Sequence, residues 1–203
     1  MASRIRRFLT MQLVFLLLAS IVPPAIRAGS EPFDNSGRIL CDGKGKIIAS
    51  RREAIMKRPA TELQPGAMIT IPAVCPGEQY FPTGVLLTPG ATYQIAAQGR
   101  WKDGWIRIGP HGWPGLFLEA WNRLPWKRFF LLGGAIGRSE AHLFPIGQNR
   151  RWNAPSTLDQ GEESALYVFA NDWPGLRHNN RSISDAYGGP LRVSITRLSK
   201  SSH

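Results

Sequence analysis

Residues 171–180 read Asn171-Asp172-Trp173-Pro174-Gly175-Leu176-Arg177-His178-Asn179-Asn180 and carry the side chains best spaced for chemistry. They follow an apolar run, Ala165 to Ala170, that reads as a core strand, and Asp172 stands at its end, where a side chain is held firmly. Pro174-Gly175 reverses the chain, and Asn179 and Asn180 return two amide oxygens towards Asp172. A hard cation such as calcium takes roughly six to eight oxygens from carboxylate, amide and carbonyl groups. One carboxylate and two amides neither neutralise such an ion nor fill its shell, so positions remain for the hydroxyls of a sugar. The plainer reading of the same residues is an Asx-rich turn whose side chains cap their own backbone.

Catalysis has less to stand on. His178 is near Asp172 in sequence, which is the arrangement of a base held by a carboxylate. However, the chain has no nucleophile elbow, no His-Glu-x-x-His and no spaced pair of carboxylates. Glu162 and Glu163 are adjacent and would point to opposite faces of a strand. The expectation is a binding protein and not an enzyme, with glycan hydrolysis the least favoured reading. Among the seven tryptophans, Trp173 lies inside the 171–180 loop and is the expected sugar-facing ring; Trp101 and Trp152 fall in strand-like patterns and are expected to pack.

The elements that must position this loop are short strands. Leu63-Gln64-Pro65-Gly66-Ala67-Met68-Ile69 recurs in pattern as Leu87-Thr88-Pro89-Gly90-Ala91-Thr92-Tyr93, a Pro-Gly turn followed by an alternating strand each time. Further strands are predicted at 129–135, 140–145, 164–170 and 190–197, and a short basic helix at 51–58. The 21 glycines and 16 prolines among 203 residues punctuate a chain of this kind. The fold class is all-β, a two-sheet antiparallel β-sandwich over 61–203, with Leu87, Ile95, Leu132, Leu166, Val168, Phe169, Val193 and Ile195 in the core.

At this point a resemblance becomes specific. Asn171, Asp172, Pro174, Gly175, Asn179 and Asn180 match, without a gap, the loop of the bacterial galactophilic lectin family, the small calcium-dependent lectins typified by the first lectin of Pseudomonas. Pro89-Gly90 leading to Ala96-Ala97-Gln98-Gly99-Arg100-Trp101 is similar to that family's first hairpin, and the resemblance extends over roughly residues 80–198. It implies a galactose-binding-like sandwich. Asp172, Asn179 and Asn180 would be side-chain calcium ligands, with backbone carbonyls from Leu176 and from Asp103 or Gly104. It also implies that Asp172 and Asn179 bond the sugar's hydroxyls. The family's separate sugar-gripping loop corresponds here to 105–125, which does not align and offers His111, Trp113, Glu119, Trp121 and Asn122. Of these, His111 and Trp113 are carried forward with Trp173 as carbohydrate contacts.

The net charge is +11, of which four arginines belong to residues 1–28, a segment without acids that reads as a secretory signal peptide. A mature chain would be secreted or periplasmic, would keep +7, and would begin with an extension over 29–60. In an exported chain Cys41 and Cys75 most simply form one disulfide. Glycans are the expected partners, calcium the expected cofactor, and a homo-oligomer would add avidity. The alternative from another class is a basic envelope protein that holds anionic cell-wall or outer-membrane polymers by charge. Nucleic acid is not expected, since no aromatic platform interleaves the cluster Arg51, Arg52, Lys57 and Arg58.

Overall fold

A computed structural model describes residues 40–158 and 161–199, with the backbone alone at Glu162 and Asp185. The leader-like segment 1–28 and residues 29–39 of the extension lie outside the described residues. The described residues form thirteen short strands, arranged as a β-sandwich with few helical turns. One sheet is built on β3 (Phe81–Leu86), β11 (Ala165–Ala170) and β8 (Phe129–Ile136), with β1 (Thr61–Glu62), β7 (His111–Trp113) and β9 (Leu143–Pro145) at its margins. The other runs β10 (Asn149–Asn153), β4 (Thr92–Gln98), β13 (Arg192–Arg197), β2 (Met68–Ile71). Every pairing in these two sheets is antiparallel except the two-residue match of β1 to β3. Among the described residues no helix is long and apolar enough to cross a membrane.

Both Pro-Gly motifs form the turns their residues dictate. Ala67 N–H bonds the Gln64 carbonyl and Ala91 N–H that of Thr88, while Gly66 and Gly90 take φ of 83° and 67°. That is a type II turn, with proline supplying its fixed φ and glycine the left-handed position. Each turn leads directly to a strand of the second sheet, so Tyr93, Ile95 and Ala97 of β4 face inward beside Val193 and Ile195 of β13. All eight residues expected in the core are buried.

β11 is buried on both faces, which is why its sequence lacks polar alternation. Leu166, Val168 and Ala170 join the core between the sheets. Ala165, Tyr167 and Phe169 form a second cluster with Ala135 and Leu124, so the outer face of β11 is covered by the loop that carries Leu124. The strand expected at 140–145 is half right. Glu140–His142 is a 3-10 turn, because the Ser139 hydroxyl caps Ala141 N–H and Glu140 is drawn onto Arg123; the strand begins at Leu143. The basic segment is a helix, α1, over Ala49–Met56, two residues earlier than expected. Its charges are engaged: Arg52 pairs with Glu78 at 2.5 Å and Lys57 with Glu53 at 2.7 Å.

Cys41 and Cys75 are disulfide-bonded with Cα atoms 5.4 Å apart. Their bridge joins the extension to the segment before β3, and Glu78 reinforces the junction by accepting from Ile47 N–H and Arg52.

Candidate functional site

A small three-stranded sheet carries the site. β5 (Trp101–Asp103) lies between β6 (Ile106–Ile108) and β12 (Asn180–Ser182), and the register sets Asn180 opposite Asp103. β5 is anchored by Trp101, fully buried and edge-on to Phe130 with ring centroids 5.7 Å apart. β12 is reached from the end of β11 through the 171–180 loop, whose Leu176 carbonyl accepts from Asn179 N–H at 3.2 Å within a 3-10 turn over Arg177–Asn179. Gly104 N–H bonds the Asn179 carbonyl, which closes the β5 turn onto the loop. The two remote parts named in the sequence, 103–104 and 172–180, are therefore in contact.

Several polar atoms gathered here lack partners, three of them oxygens and one the Arg177 Nη1. Asp172 is 2% exposed; its Oδ1 accepts from Trp173 N–H at 2.7 Å, while its Oδ2 is buried with no partner. Asn180 is fully buried, donates its amide to the Pro76 carbonyl at 3.0 Å, and its Oδ1 has no partner. Asn179 donates to Asp103 Oδ1 at 3.0 Å, and its Oδ1 is likewise buried and unpartnered. A buried acceptor without a donor costs about 1–3 kcal/mol, so native structures rarely keep one and here three belong to one short loop. Burial pushes the Asp172 carboxyl up to about 6 against the pull of the Trp173 N–H, the neighbouring Asn180 amide and the Arg177 guanidinium, and the Asp103 charge adds to the rise. Burial also raises Asp103, although Trp113 and Asn179 both donate to it. The Asp172 carboxylate and two amide oxygens held out of water, with the half-buried Asp103 carboxylate beside them, are oxygens of the type a hard cation such as calcium takes. Among the described residues no group of three His, Cys, Asp or Glu side chains is placed to hold a metal.

The structure sorts the remaining expected residues. The Asp103 carboxylate stands beside the loop, bonded by the Asn179 amide, so Asp172 is not the sole negative charge here. That second carboxylate was written in the sequence beside Gly104, but only the β5–β12 register brings it to the loop. Trp113 belongs to the site, since its indole N–H reaches Asp103 Oδ2 at 3.2 Å. Trp173 stands half-buried at the edge, in contact with Trp121 and Phe129 at centroid distances of 6.0 and 5.9 Å. His111 faces elsewhere, into a cavity it shares with Leu116 and Trp126. His178 is exposed, and its Nδ1 lies 3.3 Å from the Gly175 carbonyl of its own turn. Asn171, which the sequence grouped with the loop, does different work: its amide bonds the carbonyls of Leu124, Lys127 and Arg128, and its Oδ1 accepts from Leu124 N–H.

The back wall of the site comes from the extension, and the sequence offered no sign of it. A Cβ on Gly45 would sit 2.8 Å from the Asn180 carbonyl oxygen, and one on Gly77 would sit 2.6 Å from that of Lys44. Gly45, with φ of 68°, is therefore pressed between Asn180 and Gly77. The Cys41–Cys75 bridge holds this stack together directly beneath a candidate ligand.

No protein-family model and no curated protein matches the sequence. Among solved structures, the chain is similar to one described as "EclA N-terminal domain; PllA-like lectin", at 22% identity and a TM-score of 0.42, covering 64% of this chain and 94% of that one.

Proposed function

We propose that the protein is an exported, calcium-dependent carbohydrate-binding protein of lectin type. The observation that carries this reading is the set of three buried oxygens without donors, on Asp172, Asn179 and Asn180. These side chains would hold the ion, with carbonyls of Leu176 and of Asp103 or Gly104. A bound calcium supplies positive charge and open coordination positions that sugar hydroxyls complete. Asp172 and Asn179 then accept from and donate to those hydroxyls, and Trp173 and Trp113 shape the rim. Galactose-type sugars are the first class to test. The signal-like start and the oxidised Cys41–Cys75 pair support export, since such bonds persist in oxidising compartments.

Calorimetry with calcium, followed by a glycan array with calcium and with chelator, tests the reading. Calcium binds the wild type, and glycan binding disappears in chelator while surviving moderate salt. Charge-driven binding to anionic polymers would do the reverse, weakening with salt and ignoring chelator. A folded wild type that takes up no calcium overturns the reading.

A further inference from the structure

The loop between β7 and β8 breaks the usual rule for apolar side chains. Leu116 and Phe117 are 74% and 72% exposed, and Trp121 and Trp126 are 63% and 68% exposed. Patches of this kind on soluble domains mark interaction surfaces. Looseness does not account for the exposure, because the loop is closely bonded. The Asn171 side chain takes three of its carbonyls and one N–H, Asn122 donates to the Lys127 carbonyl at 2.7 Å, and Trp126 N–H bonds the Glu119 carbonyl at 3.0 Å. Leu124 is tucked into the cluster on β11, so the loop buries one apolar side chain and turns the others outward. Leu116 and Trp126 do so with φ of 52° and 60°, a left-handed conformation that L residues avoid.

We infer that this loop docks the protein on an anionic lipid bilayer. A cavity of about 530 Å³ opens between Leu116 and Trp126, and exposed Lys127 and Arg128 line it together with the apolar Leu131. Tryptophan, phenylalanine and leucine beside basic residues is the composition of an interfacial anchor: the rings and chains enter the acyl boundary and the cations meet the phosphates. Glu119, the acid of this cavity, already accepts from Gly115 N–H. A second copy of the chain fits less well. Two-fold contact through the same patch would bring Lys127 and Arg128 close to their own equivalents, and the chain without residues 1–28 is still positive at +7. An anionic surface removes that repulsion and gains from it.

The test is independent of the calcium reading, because it runs in chelator with lipids that carry no sugar. Vesicles of phosphatidylcholine, with and without phosphatidylserine, are sedimented with the mature chain, residues 29–203. Binding is expected to the phosphatidylserine vesicles, with tryptophan fluorescence quenched by brominated acyl chains. Phe117→Ser lowers partitioning by at least about tenfold, and Lys127→Gln with Arg128→Gln by about thirtyfold. Circular dichroism and sedimentation velocity accompany each variant, and the quenching of the wild type stands without any variant folding. Absence of binding by the wild type, or unchanged binding by folded Phe117→Ser, overturns the proposal. A dimer that Phe117→Ser dissociates, without vesicle binding, assigns the face to a second copy instead.

Discussion

Residues 172–180 hide side-chain oxygens that have no donor, whereas residues 116–126, which Asn171 ties to the same strand end, hold leucine, phenylalanine and tryptophan in solvent. The two loops depart from ordinary burial in opposite directions. An unpartnered buried oxygen costs about 1–3 kcal/mol, and a large apolar side chain left outside forgoes about 1.5–3 kcal/mol. Exceptions elsewhere are scattered singly, such as Trp101 Nε1 buried without a partner and Met68 and Trp105 left exposed, while Arg123 in the apolar loop is engaged by Glu140 and the rings of Tyr80 and Phe169. Stability forgone at two adjacent places in an otherwise regular sandwich is what two binding surfaces look like before their ligands arrive.

The largest expected effect breaks the first loop and leaves the second alone. Asp172→Asn keeps the shape and removes the charge, so calcium affinity by calorimetry falls by about 100-fold or more. The same change relieves a buried carboxylate whose pKa lies near 6. A carboxyl raised from its ordinary 3.8 loses stability for the fold as pH rises through that interval. At neutral pH in chelator the variant therefore melts higher, by an amount equivalent to about 2 kcal/mol. Vesicle binding is unchanged. Calcium affinity that survives Asp172→Asn would remove the asymmetry between the loops.

Next comes the wall behind Asn180. Replacing Cys41 and Cys75 together by serine costs about 2–4 kcal/mol of stability, read from denaturant unfolding. It also lowers calcium affinity, because the Pro76 carbonyl that holds the Asn180 amide loses its tether. Gly45→Ala tests the same stack without touching the disulfide, since its Cβ meets the Asn180 carbonyl at 2.8 Å and its φ is positive. Stability lost with calcium affinity intact would show that the extension only braces the sandwich.

How much of this was legible beforehand follows from the range of the signals. The Pro-Gly turns, β4, β8, β11 and β13 are local patterns, and each formed where its residues dictate. Asp172, Asn179 and Asn180 could be grouped from sequence because they lie within nine positions of one loop. The Asp103 carboxylate and the Gly45–Gly77 wall were not, because they reach Asn180 only through strand register and a disulfide spanning 34 positions. The exposed loop was hidden for another reason. Leu116, Phe117 and Leu118 look like a buried segment in sequence, and only Asn171 and Leu124 decide which way the loop turns.

A smaller effect comes from the joint beneath the apolar loop. Burial alone would raise the Glu140 carboxyl, but hydrogen bonds from Arg123, Tyr80 and Gln79 outweigh it and hold it down at about 2. A carboxylate depressed in this way stabilises the fold above its unfolded value near 4.5, and the contribution is lost as pH falls from there through 2. The Glu140 side chain is half exposed, so solvent screens the gain to about 1 kcal/mol. Glu140→Gln should lower the melting temperature at pH 7 and converge with the wild type towards pH 2. A constant difference across that range would mean that packing, and not charge, joins Glu140 to the loop.

The smallest effect is expected at His178, and its smallness separates binding from catalysis. The ring is exposed, rests against the Gly175 carbonyl of its own turn, and makes no bond to Asp172, whose Oδ1 is taken by Trp173 N–H. A histidine so placed neither orients the carboxylate nor supplies an oxygen to an ion. His178→Ala should therefore leave calcium affinity within about twofold of the wild type and stability within about 0.5 kcal/mol, the range of ordinary surface changes. Glycan binding should follow calcium and stay close to the wild type as well. If the substitution instead left calcium binding intact and abolished turnover of a polysaccharide by the wild type, His178 would be acting as a base. The loop that hides its oxygens would then belong to a hydrolase whose carboxylates hold substrate, and the comparison with the apolar loop would need a reaction at its centre.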